Sequence, residues 1–372
     1  MRPLMVKYQW ILKKGERPVS SPFASRLART LTPYVPGEQP VTRRLIKLNT
    51  NENPYPPAPA VREAIASAAA DLRLYPDPRC AVLSDAIAGR HGCGLTGANV
   101  FVGNGSDEVL AFSFLAFFDP DSAILFPDIT YSFYPVFAKL FSIPYRTVPL
   151  SGDFTVDVDA MCAPSGGVVF ANPNAPTSIE LPLAQVKKII EAQPRDVVLV
   201  DEAYIEFGNA SAVSLINDHP NLLVVKTFSK SHSLAGLRVG YALGDEGLIR
   251  TLTDVKDSFN SYPVDRLAQA GAAAAMREEA YCRKTIEAIR KTREESAAAL
   301  RSMGFAMPDS HANFLFMRHE RVHAEELMRR LRERGIIVRR FTGERTADRL
   351  RVTVGTEEEM RALIKGLEEI LG

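Results

Sequence analysis

Short apolar runs rich in Val, Ile, Leu and Phe recur along the first two thirds of the chain. They fall at Asn99–Val102, Ala123–Phe126, Tyr145–Val148, Val168–Ala171, Val197–Asp201, Leu222–Lys226 and Val239–Leu243. Most hold four or five residues and do not alternate with polar ones. Strands covered on both faces read this way; strands with one wet face do not. Helical patterns separate the runs at Asp107–Phe117, Tyr131–Phe141 and Leu183–Gln193. Such alternation predicts a doubly wound α/β core with a mostly parallel sheet covered by helices.

After Pro263 the texture changes. Leu267–Met303 is one Ala-, Arg- and Glu-rich helical region, with a break expected near Glu278. Strand Asn313–Met317, helix Ala324–Arg334, strands Ile336–Arg339 and Leu350–Val354, and helix Glu357–Leu371 follow. That order predicts a smaller α+β domain. A length of 372 residues suits two domains. The expected division is an N-terminal extension and arm over 1–60, a large domain over 61–265 and a small C-terminal domain over 266–372.

Composition removes several classes of function. Lys+Arg at 45 balances Asp+Glu at 44, so no basic surface points to nucleic acid or to a membrane. The cysteines Cys80, Cys93, Cys162 and Cys282 are scattered without a C-x-x-C pair and read as reduced thiols of a cytoplasmic protein. The longest apolar run, Val109–Phe118, falls far short of the roughly 20 residues that span a bilayer. Met1–Gly15 lacks an apolar core followed by a small-residue cleavage site, so it reads as an extension, not a signal peptide.

Open α/β sheets bind ligands beyond the carboxyl ends of their strands, so the residues there carry the chemistry. Gly103-Asn104-Gly105-Ser106-Asp107-Glu108 follows the first run and opens a helix. Its glycines permit close backbone approach, and free N–H groups at a helix start suit a phosphate. It could equally be a tight turn, and Glu108 breaks the dinucleotide pattern G-x-G-x-x-G. Asp201 closes one apolar strand, where it can hold a cationic ring nitrogen or merely cap a turn. Lys230 lies in Thr227-Phe228-Ser229-Lys230-Ser231-His232 after the next strand, where a lysine can have a lowered pKa and act as a nucleophile. Arg238 follows eight residues later, placed to reach a phosphate. Together these fit one ligand with an aldehyde, a protonated pyridine and a phosphate.

Asp201-Glu202-Ala203-Tyr204-Ile205-Glu206-Phe207 and Ser229-Lys230-Ser231-His232-Ser233-Leu234-Ala235-Gly236-Leu237-Arg238-Val239-Gly240 resemble the signatures of fold-type I pyridoxal-phosphate (PLP) aminotransferases. More narrowly they are similar to the histidinol-phosphate aminotransferase branch. The likeness runs from Leu31-Thr32-Pro33-Tyr34 to Leu350-Arg351-Val352-Thr353-Val354-Gly355-Thr356. It implies the fold-type I transferase architecture with a seven-stranded large sheet. It also implies a catalytic trio. Lys230 carries the cofactor aldehyde and then moves a proton between substrate Cα and cofactor; Asp201 pairs with the pyridinium nitrogen; Tyr204 donates to the ring oxygen. By the same likeness Tyr131 stacks on the ring, and Gly105, Ser106, Asp107, Ser229 and Arg238 cradle the phosphate. Tyr75 reaches the phosphate in a neighbouring subunit, which implies a homodimer with shared sites. Tyr34, Asn51, Arg339 and Arg351 are the substrate candidates, with Arg351 holding the substrate anion and Arg339 a phosphate.

The chain departs from the family pattern once. An Asn usually precedes Pro-Thr-Gly, but here the run is Asn172-Pro173-Asn174-Ala175-Pro176-Thr177-Ser178. The expectation is that Asn174, or else Asn172, takes the contact that Ala175 cannot make. His319-Glu320-Arg321-Val322-His323 spells the zinc-protease pattern, yet it follows a strand in a charged turn, with the next helix starting near His323. The two histidines would then not share a helical face, and no metal is expected. No G-x-S-x-G elbow occurs, which disfavours a serine hydrolase. The resemblance implies exchange of an amino group between L-histidinol phosphate and 2-oxoglutarate. Its neighbours are aromatic-amino-acid aminotransferases and PLP-dependent phosphothreonine decarboxylases. A transcription regulator built on this fold would need a DNA-binding module, and no helix-turn-helix pattern precedes the core.

Overall fold

All seven apolar runs become strands of one sheet. The computed structural model describes residues 21–34, 36–39 and 45–372; Met1–Gly15 lies outside them. The chain begins with α1 (Arg26–Thr30), β1 (Ile46–Leu48), α2 (Pro59–Ala68), α3 (Ala81–His91), β2 (Val100–Gly103), α4 (Gly105–Phe117), β3 (Ile124–Pro127) and α5 (Tyr134–Leu140). It continues with β4 (Tyr145–Val148), α6 (Val158–Met161), β5 (Val168–Ala171), α7 (Leu183–Glu191), β6 (Val198–Asp201), β7 (Leu222–Thr227) and β8 (Gly240–Gly244). Then come α8 (Glu246–Phe259), α9 (Arg266–Arg277), α10 (Glu279–Ser302), β9 (Phe305–Ala306) and β10 (Phe314–His319). The last are α11 (Ala324–Glu333), β11 (Ile336–Arg340), β12 (Leu350–Thr353) and α12 (Glu357–Leu371).

The large sheet has the order β2-β8-β7-β6-β5-β3-β4. Strands β7, β6, β5, β3 and β4 run parallel, and β8 runs against both of its neighbours. Every residue of β5, β6 and β7 is buried, while the edge strand β4 buries only Val148. The reason lies in the two apolar layers. Val198, Val200, Leu222 and Val224 pack on one face with Val61, Leu83 and Ala272 from α2, α3 and α9. Leu199, Leu223 and Val225 pack on the other with Val109, Phe112 and Leu252 from α4 and α8. Each such side chain contributes roughly 1.5–3 kcal/mol by leaving water, so both faces select apolar residues and alternation disappears.

The small sheet has the order β1-β11-β12-β10-β9, with β1 parallel to β11 and the rest antiparallel. Met360, Leu363, Leu367 and Ile370 line one stripe of α12 and close its core with Leu327 and Leu331 of α11. Strand β1 therefore carries the N-terminal segment into the small sheet before the chain crosses to the large one. Helix α9 is the difference from the expected division at 265/266. Its Ala268, Ala272, Ala273, Ala275 and Met276 sit in the core of the large sheet. A side chain at Gly271 would lie 2.8 Å from Leu237 Cδ1, so α9 docks on that body at close range. The join falls instead at Glu278, between α9 and α10.

Candidate active site

The parallel strands point their carboxyl ends to one edge, and the antiparallel β8 begins at that edge, so its amino end lies there too. Asp201 ends β6, Lys230 follows β7 and Arg238 precedes β8. A cavity of about 400 Å³ lies there. Among the expected cofactor residues it brings together Lys230, Asp201, Tyr204, Ser106, Asp107, Tyr131, Ser229 and Arg238. Tyr34, Asn51, Arg339 and Arg351 line its other wall. A crevice of about 540 Å³ between α3 and α8 holds none of these residues; convergent titratable groups mark a site better than volume does.

Lys230 Nζ donates to the Thr50 carbonyl at 3.0 Å and lies 5.8 Å from the Tyr204 ring centroid. Burial, with the Arg351 and Arg238 charges adding to it, brings the ammonium down to about 8. Asn53 Nδ2 donates to the carbonyls of Lys230 and Ser231 and pins the lysine turn. Asp201 is 4% exposed, and burial pushes its carboxyl up to about 7. A buried carboxylate without a counter-charge is unfavourable, so the site suits a ring cation. Tyr204 Oη accepts from Asn51 Nδ2 at 3.0 Å, which leaves its own proton to donate into the cavity.

One end of the cavity is built on α4. No side chain caps this helix, so its first N–H groups are left for a ligand. Gly105 has φ +81°, and a Cβ there would lie 2.5 Å from Arg238 Nη2; a Cβ at Gly240 would lie 2.3 Å from the Ser106 nitrogen. Only glycine at both positions lets the guanidinium and the helix start meet. Arg238 Nη1 reaches Ser229 Oγ, and its Nη2 reaches Asp107 Oδ2, both at 3.4 Å. Tyr131 Oη donates to Asp107 Oδ1 at 2.7 Å. These residues fit a phosphorylated pyridine aldehyde: N–H groups and a guanidinium at one end, a carboxylate at the other, a lysine between.

The substrate wall comes from the small sheet and the N-terminal segment. Arg339 and Arg351 are register partners on β11 and β12. Like charges placed directly opposite repel, so an anion bound beside the pair would be favoured. Arg351 Nη2 donates to the Asn49 carbonyl at 3.1 Å, and its guanidinium lies 5.4 Å from the Phe314 and Phe341 rings. Arg339 Nη1 donates to the Pro36 carbonyl at 3.4 Å. Tyr34 packs on Phe133 with centroids 4.4 Å apart.

The sequence profile of aminotransferase class I and II matches residues 43–367. The histidinol-phosphate aminotransferase of Acetobacter pasteurianus is 54% identical over 352 residues, covering 94% of this chain and 98% of that protein. Histidinol-phosphate aminotransferase 2 of Dechloromonas aromatica is 52% identical over 357 residues, 95% of this chain and 100% of its own. The chain belongs to the histidinol-phosphate aminotransferase family. The crystal structure of the Sinorhizobium meliloti family member in complex with pyridoxal-5'-phosphate has a TM-score of 0.81 at 25% identity, over 88% of this chain and 90% of that one. The fold is thus the fold-type I architecture, and the chain is an aminotransferase.

Not every expected residue reaches the cavity. Asn174 does not: its Nδ2 donates to the Ile129 carbonyl and to Thr177 Oγ1, and its Oδ1 accepts from Thr130. Asn172 is likewise engaged by the Leu181 backbone. Of this run only Ala175 lines the cavity. Tyr75 is 79% exposed and stacks on Tyr262 at 5.0 Å, outside the cavity of its own chain. His232 shares a hydrogen bond with Ser231 Oγ behind the lysine turn. His319 ends β10 and His323 caps α11, and no group of metal-ligating side chains occurs among the described residues. Thr50, Asn53 and Tyr134 were not foreseen. The polar run Asn49-Thr50-Asn51-Glu52-Asn53 after β1 was a usable signal for the first two.

Proposed function

We propose that this aminotransferase uses pyridoxal 5′-phosphate to move the amino group of L-histidinol phosphate to 2-oxoglutarate, giving imidazole-acetol phosphate and L-glutamate. The opposed pair Arg339 and Arg351 beside Lys230 carries the reading. Two guanidinia suit a phosphate, with its greater charge and more numerous acceptor oxygens, and one of them serves for a carboxylate. High identity to relatives bearing the histidinol-phosphate name supports it further.

Bound in this cavity, the cofactor supplies an aldehyde to accept the amino group and a cationic ring to draw electrons from the substrate Cα. The chain's own residues do the rest. Lys230, held near 8, is partly a free amine at neutral pH and takes the proton from Cα. Tyr204 would donate its free O–H to the ring oxygen, Asp201 would pair with the ring nitrogen, and Tyr131 would cover the ring. The start of α4, Ser229 and Arg238 would hold the phosphate. Arg351 orients the anion of either substrate and Arg339 adds the second contact for a phosphate.

The reading includes a second copy of the chain. Leu72, Leu74, Tyr75, Phe259 and Tyr262 are exposed large apolar residues, gathered around the stacked Tyr75 and Tyr262. A partner covering them places Tyr75 toward the other copy's phosphate. Four free cysteines suit a cytoplasmic setting, and no helix among the described residues is long and apolar enough to cross a membrane. Steady-state assays comparing L-histidinol phosphate with phenylalanine, tyrosine and phosphothreonine test the substrate. The expected result is the highest kcat/KM for L-histidinol phosphate. A higher value for an aromatic amino acid, or release of carbon dioxide from phosphothreonine, overturns it.

A further inference from the structure

Asp201 is gripped from two sides. Its Oδ1 accepts the Ala203 N–H and its Oδ2 accepts the Tyr134 hydroxyl, each at 3.1 Å. Tyr134 is completely buried at the start of α5. Its ring lies against Phe114, Phe126 and Tyr131, with centroids 6.3, 6.0 and 5.8 Å away. The hydroxyl therefore has one place to point. Burial also raises the phenol well above its usual range, so it remains a donor. Tyr131, three residues earlier and hence on the same turn, grips Asp107 in the same way. One Tyr-x-x-Tyr turn thus holds a carboxylate at each end of the site.

We infer that Tyr134 is a positioning residue for the cofactor: its hydroxyl holds the Asp201 carboxyl in one orientation, facing the ring nitrogen, and favours its charged form. The inference rests on the reading of Asp201 as the partner of that nitrogen. Burial and the neighbouring Asp107 and Glu202 charges all favour a protonated Asp201, and the two hydrogen bonds are what oppose them. A neutral or rotated carboxyl would leave the ring nitrogen without its counter-charge. A tyrosine that merely filled the core would need its ring and not its oxygen.

Tyr134→Phe removes only that oxygen. Its test is a double-mutant cycle with Asp201→Ala, read as the dissociation constant for pyridoxal 5′-phosphate added to each cofactor-stripped protein. Melting temperature and the kcat and KM for L-histidinol phosphate are measured beside it. Loss of one charge-assisted hydrogen bond predicts roughly tenfold weaker cofactor binding in Tyr134→Phe. A lower kcat at nearly unchanged KM and a melting temperature within a few degrees of wild type are expected with it. In the Asp201→Ala background the same change should have no effect on cofactor binding. Wild-type affinity and kcat in Tyr134→Phe would overturn the inference. So would an equal loss in both backgrounds, which marks a core residue acting independently of Asp201. If Asp201→Ala itself binds cofactor and turns over as wild type does, the pyridinium partnership fails, and the role of Tyr134 with it.

Discussion

The two walls of the cavity are built on opposite plans. The cofactor wall is the edge of one sheet: Asp201, Lys230 and Arg238 come from the ends of adjacent strands, and each has an intramolecular partner. The substrate wall draws Tyr34, Asn51, Arg339 and Arg351 from the N-terminal segment and from two strands of the small sheet. There the backbone sets two like charges face to face. Where neighbouring strands fix the spacing, the groups are partnered within one sheet edge; where separate segments meet, the arginines are held by backbone carbonyls of the N-terminal segment.

The largest effect should come from breaking the cofactor wall. Lys230→Ala should cost about 10²–10⁴-fold in the rate of a single turnover through lost proton transfer alone. Borohydride reduction in the presence of pyridoxal phosphate should label the wild-type peptide containing residue 230 and leave this variant unlabelled. Next come the arginines, which divide the substrate wall. Arg351→Ala should lower kcat/KM for both L-histidinol phosphate and glutamate by roughly 10- to 150-fold, as expected for a lost charged contact kept in the transition state. Arg339→Ala should do this for L-histidinol phosphate and largely spare glutamate. Equal losses on both substrates would mean one undivided anion site.

A smaller effect measures strain on the cofactor wall. The Asp201 carboxyl is raised in the folded protein to about 7, so the fold favours its protonated form. Its contribution to stability is present below the ordinary carboxylate range and is lost as pH rises through about 7. Cofactor-stripped Asp201→Asn should therefore melt a few degrees above the stripped wild type at pH 8, and the gap should close toward pH 5. A variant that melts lower at pH 8 would show that the buried charge is already compensated. The smallest effect belongs to the outermost contact of the substrate wall. Arg332 pairs with Glu38 in the segment that also gives its Pro36 carbonyl to Arg339. The pair is about half exposed, so Glu38→Gln should change KM by only about 1.5- to 5-fold, with kcat unchanged.

Legibility in the sequence follows the same division. Strand β5 lies where its apolar run places it, because burial on both faces leaves a local imprint. Lys230, Asp201 and Arg238 could be found because turns at strand ends are contiguous in sequence. Tyr134 could not, since its link to Asp201 spans 67 positions and depends on where α5 docks. The partners of Asn174 are illegible for a related reason: proximity to Ala175 in the chain says nothing of where an amide turns, and here it turns to Thr130, Ile129 and Thr177. The docking of helix α9 on the large sheet is hard to read in the sequence because alanines carry little apolar signal, although their small size is what lets α9 dock closely on α2.

The reversed direction of β8 has a consequence for how this site can change over time. Thr227 and Gly240 are register partners, so the segment between them leaves and re-enters the sheet at one point. Lys230 and Arg238 both lie on that closed excursion. A loop whose ends are hydrogen-bonded neighbours can be lengthened, shortened or exchanged without moving any strand. The spacing of Lys230 and Arg238 is thereby set by the excursion and not by the register of the strands. Phe228 and Leu234, buried in the core beneath, tie the excursion down, so what can be refitted is the stretch between these fixed points while the scaffold stays the same.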